Sequence, residues 1–121
     1  MDLPSWSAGP GELVAVDLPP GPPWLTVVER VWEQGAALLP LDRRLASPER
    51  RALLDLAAPT WLIESAGAQV FAGRGLEPGT GVVVATSGTA GSPKLVELSR
   101  TAVSAALIAS AEILGLSLIH I

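Results

Sequence analysis

The chain's 121 residues fit one small domain, and a composition of 49% hydrophobic and 17% charged residues is apolar enough to bury a core, which argues against disorder. A net charge of −4 with scattered basic residues offers no electrostatic footprint for nucleic acid. The absence of cysteine excludes disulfides and thiolate metal sites.

The N-terminus, Met1-Asp2-Leu3-Pro4-Ser5-Trp6, lacks the basic region and apolar core of a secretory signal, so a cytoplasmic protein is the default expectation. Six of the eleven prolines lie in the opening stretch (Pro4, Pro10, Pro19, Pro20, Pro22 and Pro23). Between them Glu12-Leu13-Val14-Ala15-Val16-Asp17 reads as a buried strand. Pro22 and Pro23 suit a helix start, where a missing N–H costs nothing. Trp24, Val27, Val28, Val31 and Trp32 then recur at helical spacing, and Gly35 is a natural stop. The apolar run from Ala36 to Asp42 is a second strand.

Ser47-Pro48-Glu49-Arg50 predicts a second helix, with Ser47 as N-cap, proline at the first position and an acid facing the dipole. It runs through Leu53, Leu54 and Leu56 until Pro59 stops it. Thr60 to Glu64 is a third strand. A polar, Gly-rich connection spans Ala66 to Gly81, with room for a short strand near Val70-Phe71. Gly81 to Thr86 is a fourth strand and Leu95 to Leu98 another. Ser99 caps a helix from Arg100 to about Leu114, with Gly115 behind it. Strands alternating with helices predict an α/β fold, a parallel or mixed sheet flanked by helices.

The residues from Thr101 to Ile121 carry only Glu112 and His120 as ionisable groups, and so must be weighed as a membrane span. A mid-span carboxylate would cost about 2.5–3.5 kcal/mol. A buried helix of a soluble α/β domain accounts for the same residues without that penalty, so no span is expected. Trp24, Trp32 and Trp61 read as core rather than ligand-stacking groups. Asp42-Arg43-Arg44 and Glu49-Arg50-Arg51 read as solvated faces and helix-end charges. Glu112 either faces solvent or pairs with a group elsewhere. His120 is a lone histidine with no partner cluster, so no metal site is predicted.

The segment with chemistry is Thr86-Ser87-Gly88-Thr89-Ala90-Gly91-Ser92-Pro93-Lys94, which packs four hydroxyls, two glycines and one lysine into nine residues. Gly88 and Gly91 let successive backbone N–H groups point at anionic oxygens. The hydroxyls of Thr86, Ser87, Thr89 and Ser92 can donate to phosphate oxygens, and Lys94 adds a mobile positive charge. A Walker A loop needs Gly-Lys-Ser/Thr opening a helix, whereas here proline precedes the lysine and a strand follows. On spacing alone, phosphate binding and a plain hairpin turn weigh about equally.

The segment resembles the signature of the AMP-binding, adenylate-forming superfamily, which reads roughly Thr-Ser-Gly-Thr-Thr-Gly-x-Pro-Lys-Gly after an apolar strand. Ala90 replaces a usual Thr or Ser, and Leu95 a usual Gly. Gly11 to Val16 is similar to the family's first nucleotide-domain strand. Gly35 to Asp42 is similar to its Gly-Ala-x-x-x-Pro-Leu-Asp turn, and Ser47 to Leu56 to the helix that follows. The resemblance implies a partial three-layer sheet flanked by helices, the first part of the large N-terminal domain of an adenylate-forming enzyme. It further implies activation of a small-molecule carboxylic acid with Mg-ATP to an acyl-adenylate, then transfer to a thiol such as coenzyme A. Thr86, Ser87, Gly88, Thr89, Gly91, Ser92 and Lys94 would hold the β- and γ-phosphates. The compact N-terminus resembles the shorter o-succinylbenzoate–CoA ligases of menaquinone synthesis.

The family's Tyr-Gly-x-Thr-Glu and Thr-Gly-Asp segments and its C-terminal catalytic lysine domain have no counterpart in residues 1–121. The expectation is therefore an N-terminal portion of an AMP-binding domain, inactive in adenylation alone, with no catalytic residue of its own. Ser117 to Ile121 does not continue the family pattern and resembles a translated sequencing-adapter tail. Two other readings stand beside this one: a stand-alone phosphate- or nucleotide-binding module, and a small protein anchored to a membrane by its last helix.

Overall fold

A computed structural model describes residues 6–87 and 93–105. In chain order it holds β1 (Leu13–Asp17), α1 (Pro22–Glu33), β2 (Ala37–Pro40), α2 (Ser47–Ala57), β3 (Trp61–Glu64), β4 (Gly67–Val70), β5 (Thr80–Ser87) and β6 (Pro93–Ser99). The six strands form one sheet in the order β4-β3-β1-β2-β5-β6. The inner four run parallel, and β4 and β6 close the edges antiparallel. The expected α/β class with a mixed sheet is what the chain adopts.

β1 lies between β2 and β3, which explains its unbroken apolar run: a parallel strand covered on both faces needs no polar alternation. Its side chains divide between two cores. Val14 and Val16 join Leu38, Ile63 and the α1 residues Val27, Val28 and Val31 on one face. Leu13 and Ala15 join Leu39, Leu62, Val83 and the α2 residues Leu53 and Ala57 on the other. The two helices therefore sit on opposite faces, and the layers are helix, sheet, helix.

α1 begins and ends as its sequence dictates. Pro22 and Pro23 occupy the first turn, and Gly35 takes a left-handed φ of 79° just past the end. Gly35 N–H donates to Trp32 O and Ala36 N–H to Val31 O, the paired bonds that satisfy a helix's last carbonyls. α2 departs from expectation at its start and stops, as expected, before Pro59. Its N-cap is Ala46, with no side-chain cap, and Ser47 is already helical. The Arg50 N–H donates to Ala46 O at 2.9 Å, which places the first turn one residue earlier than a Ser47 cap would. At the other end Ala58, not a glycine, takes the left-handed conformation (φ 47°) before Pro59.

The short strand expected near Val70-Phe71 lies at Gly67–Val70, where it pairs with β3 across the two-residue turn Ser65-Ala66. Its Gly-Ala-Gln sequence has little intrinsic strand preference, so the pairing with β3 decides it. The tryptophans are core groups, as expected. Trp24, Trp32 and Trp61 pack partly buried against the α1-side core. Trp32 Nε1 donates to Gly81 O (3.1 Å) and Trp61 Nε1 to Ser7 O (2.9 Å). Ser99 Oγ accepts from the Ala102 N–H at 3.0 Å, capping helical residues 100–105. Glu112, Gly115, His120 and the tail from Ser117 lie outside the described residues. No helix among the described residues is long and apolar enough to cross a membrane.

Candidate phosphate-binding site

The four parallel strands end on one edge of the sheet, at Asp17, Pro40, Glu64 and Ser87. From that edge the chain leaves β1 toward α1 on one face and leaves β2 toward α2 on the other. Neighbouring strands whose connections diverge in this way open a crevice, the usual ligand position in an open α/β sheet. The Gly/Ser/Thr-rich segment springs from the same edge, at the end of β5.

β5 and β6 pair antiparallel with Thr86 opposite Lys94 and Ser87 opposite Pro93. Thr86 and Ser87 thus close one strand, and Lys94 sits at the start of the next. Gly88, Thr89, Gly91 and Ser92 lie outside the described residues. Thr86 and Lys94 are both exposed, and Thr86 Oγ1 donates to Lys94 O at 3.4 Å, a long bond that leaves the hydroxyl's lone pairs open.

Thr86 also borders a depression of about 660 Å³ between β5 and the first turns of α2, lined by Pro40, Asp42, Glu49, Leu53 and Val84 among others. That volume is within the range of small-molecule sites. Asp42, which lines it, forms a bidentate pair with the exposed Arg44: Nε to Oδ1 and Nη2 to Oδ2, both 3.1 Å. The Arg44 side-chain bonds, then its backbone N–H at 2.9 Å, then simple attraction hold the Asp42 carboxyl below its ordinary range. The same side-chain bond and attraction raise the Arg44 guanidinium.

A second ionic group lies further along the edge, and it corrects the reading of Arg50 as a solvated charge. One Arg50 nitrogen, Nη2, donates to Asp17 Oδ2 (3.0 Å) and to Glu64 Oε2 (2.9 Å). The three side chains are only 28%, 19% and 29% exposed, which places the bridge between a surface and a buried pair. Arg43 adds its Nε 3.3 Å from Asp17 Oδ1 without completing a hydrogen bond. The bridge ties the first turn of α2 to the ends of β1 and β3. Sequence spacing could not reveal it, since its members lie 33 and 14 residues apart.

No group of three His, Asp or Glu side chains that could hold an ion occurs among the described residues. The magnesium expected from the family resemblance therefore has no evident protein ligand set here.

Comparison of the three-dimensional structure with solved structures decides the fold. The o-succinylbenzoate CoA synthetase of Bacillus subtilis, in complex with the acyl-adenylate intermediate OSB-AMP, superimposes with a TM-score of 0.70 at 21% identity. The alignment covers 92% of this chain and 36% of that one. This is the fold of part of an adenylate-forming enzyme's N-terminal domain. The same synthetase in complex with AMP gives a TM-score of 0.69 at 19% identity, over 91% of this chain and 35% of that one. The Klebsiella oxytoca NpsA N-terminal subdomain, in complex with 3-hydroxybenzoyl-AMSN, gives 0.58 at 18% identity, over 76% and 29%. The adenylate-forming fold here thus spans about a third of the length of the structures it matches. No family model and no curated protein sequence matches the chain.

Proposed function

We propose that this chain is the N-terminal portion of an ATP-dependent carboxylic acid–CoA ligase, and that Thr86, Ser87, Gly88, Thr89, Gly91, Ser92 and Lys94 hold the phosphates of ATP. The observation that carries this reading is the position of the Thr86–Lys94 hairpin on the C-terminal edge of the sheet, beside the crevice and an open depression. Such a loop offers donors that bind the β- and γ-phosphates and orient pyrophosphate as leaving group. A carboxylate oxygen attacks the α-phosphorus, the bond to the bridging oxygen breaks, and acyl-adenylate and pyrophosphate result. The protein's part is positioning and charge neutralisation, which dominate phosphoryl-type chemistry. Acyl transfer to the coenzyme A thiol follows as the second half-reaction: the sulfur attacks the acyl carbon and AMP leaves, in the cytoplasm, where ATP and coenzyme A are found. The solved neighbours' complexes with AMP and an acyl-adenylate support this choice over a stand-alone nucleotide-binding module.

The test is phosphate binding by the chain at low ionic strength, followed by ³¹P NMR with ATP and with tripolyphosphate. Lys94→Ala is expected to weaken both about tenfold, the effect of losing one charge-assisted contact of roughly 1.4 kcal/mol. Undiminished binding in Lys94→Ala sinks the loop assignment. Extending the reading frame past codon 121 and assaying ATP–pyrophosphate exchange with a panel of acids tests the ligase reading.

A further inference from the structure

The two outer strands of the sheet are built differently. β6, along one edge, carries Pro93, Lys94 and Glu97. A proline and charges of that kind keep an edge from pairing with other strands. β4, along the other edge, lies within a run from Ser65 to Gly73 that holds neither proline nor charge. Val70 and Phe71 in that run are 64% and 47% exposed.

The pairing with β3 fixes which backbone groups this edge presents. Phe71 N–H donates to Thr60 O at 2.7 Å, so residue 71 turns its backbone inward. Direction alternates along an antiparallel pair, so Gly67 and Gln69 also face β3, while Ala68 and Val70 turn their N–H and C=O groups outward. Among the described residues nothing pairs with those outward groups, since β4 ends the strand order. The run is also held in place just beyond β4. Arg74 N–H donates to Ala58 O at 3.1 Å, and Gly73 stands at φ 72°, where a Cβ would run into Thr60.

We propose that this edge pairs with a second copy of the chain, β4 against β4, antiparallel about a two-fold axis near Gln69 and Val70. The charges bounding the run select that occupant. Glu64 precedes it and Arg74 follows it. Antiparallel pairing sets the Glu64 end of each copy against the Arg74 end of the other, whereas parallel pairing would set like ends together. A two-fold contact matches itself, so association closes at two copies, with the protected β6 as the outer edge of each. So short an edge buries less than the roughly 1,200–2,000 Å² of a lasting interface, which makes the dimer transient.

Sedimentation equilibrium of the 121-residue chain tests this. The mean mass should climb from one chain at about 10 μM toward two at about 1 mM, the range of a weak contact. Over the same concentrations hydrogen exchange read by NMR should slow at the Ala68 and Val70 amides. It should stay unchanged at Gln69 and Phe71, whose amides already face β3. Val70→Pro removes an outward N–H and no bond to β3, so it should keep the urea midpoint and stay single at about 1 mM. Val70→Lys places a charge on the edge and should also stay single; it decides the matter if the proline disturbs the strand. An unaltered chain that remains single at about 1 mM overturns the proposal and leaves the edge to a strand of a different protein. A dimer that survives both substitutions overturns it too, as does slowed exchange that spares Ala68 and Val70, or growth past two copies.

Discussion

Replacing Arg50 by methionine should destabilise the fold by about 2 kcal/mol. Breaking a fully buried ion pair costs about 3–5 kcal/mol and an exposed one about 0–1 kcal/mol. Arg50, Asp17 and Glu64 lie nearer the buried limit, at 28%, 19% and 29% exposure, but water can still reach each of them. Asp17 keeps Arg43 at 3.3 Å and Glu64 keeps the Gln69 amide at 3.4 Å, which trims the penalty further. For a chain of this length about 2 kcal/mol lowers Tm by roughly 8 °C. Urea unfolding followed by tryptophan fluorescence should show a lower midpoint at constant slope, the sign of changed stability rather than changed compactness. The Asp17→Asn/Arg50→Met/Glu64→Gln triple variant should recover most of the loss, since the cost comes from stranded carboxylates rather than from the missing bridge. If Arg50→Met alone costs under about 0.5 kcal/mol, the bridge is solvated and its role in fixing the first turn of α2 is refuted.

Two further outcomes follow from local geometry. Ala58 ends α2 at φ 47°, ψ 62°, a conformation disfavoured for side chains but open to glycine, so Ala58→Gly should stabilise by about 0.5–1 kcal/mol in the same urea assay. A destabilised variant would show that the Ala58 methyl packs more than its backbone strains. The Asp42 carboxyl, held below its ordinary value of 3.8 by the bonds to Arg44, contributes stability that is present above that value and lost as pH falls through the lower folded-state one. Carboxyl-carbon NMR should place its midpoint below 3.8, moving back up in Arg44→Gln; a midpoint unmoved by that substitution would deny the bidentate pair.

Periodicity and caps made most of the framework legible. The run Leu13 to Asp17 could only be a covered strand, and Pro22, Pro23 and Gly35 bracket α1 almost to the residue. Signals failed where the deciding contact was distant or local preference was weak. β4 exists because β3 offers it a hydrogen-bonding edge, and nothing in Gly67-Ala68-Gln69 announces that. Ser47 has the chemistry of a cap but not its place, because the turn forms on the Ala46 carbonyl. Arg50 looked like one more exposed helix charge because its partners end two other strands.

The candidate site divides along the same line. Its hairpin could be read directly, since hydroxyls, glycines, proline and lysine are contiguous in sequence. Its surroundings depend on β5 lying next to β2, a neighbour reached only after α2, β3 and β4 have intervened. That adjacency brings Asp42 and the first turn of α2 to one depression with Thr86, and no spacing rule links residue 42 to residue 86. It also fixes where the two stems of the hairpin stand. β5 is bonded to β2 on one side and β6 on the other, so both stems of the hairpin are anchored in the sheet. Ordering a site on anchored stems costs less entropy than ordering a free loop.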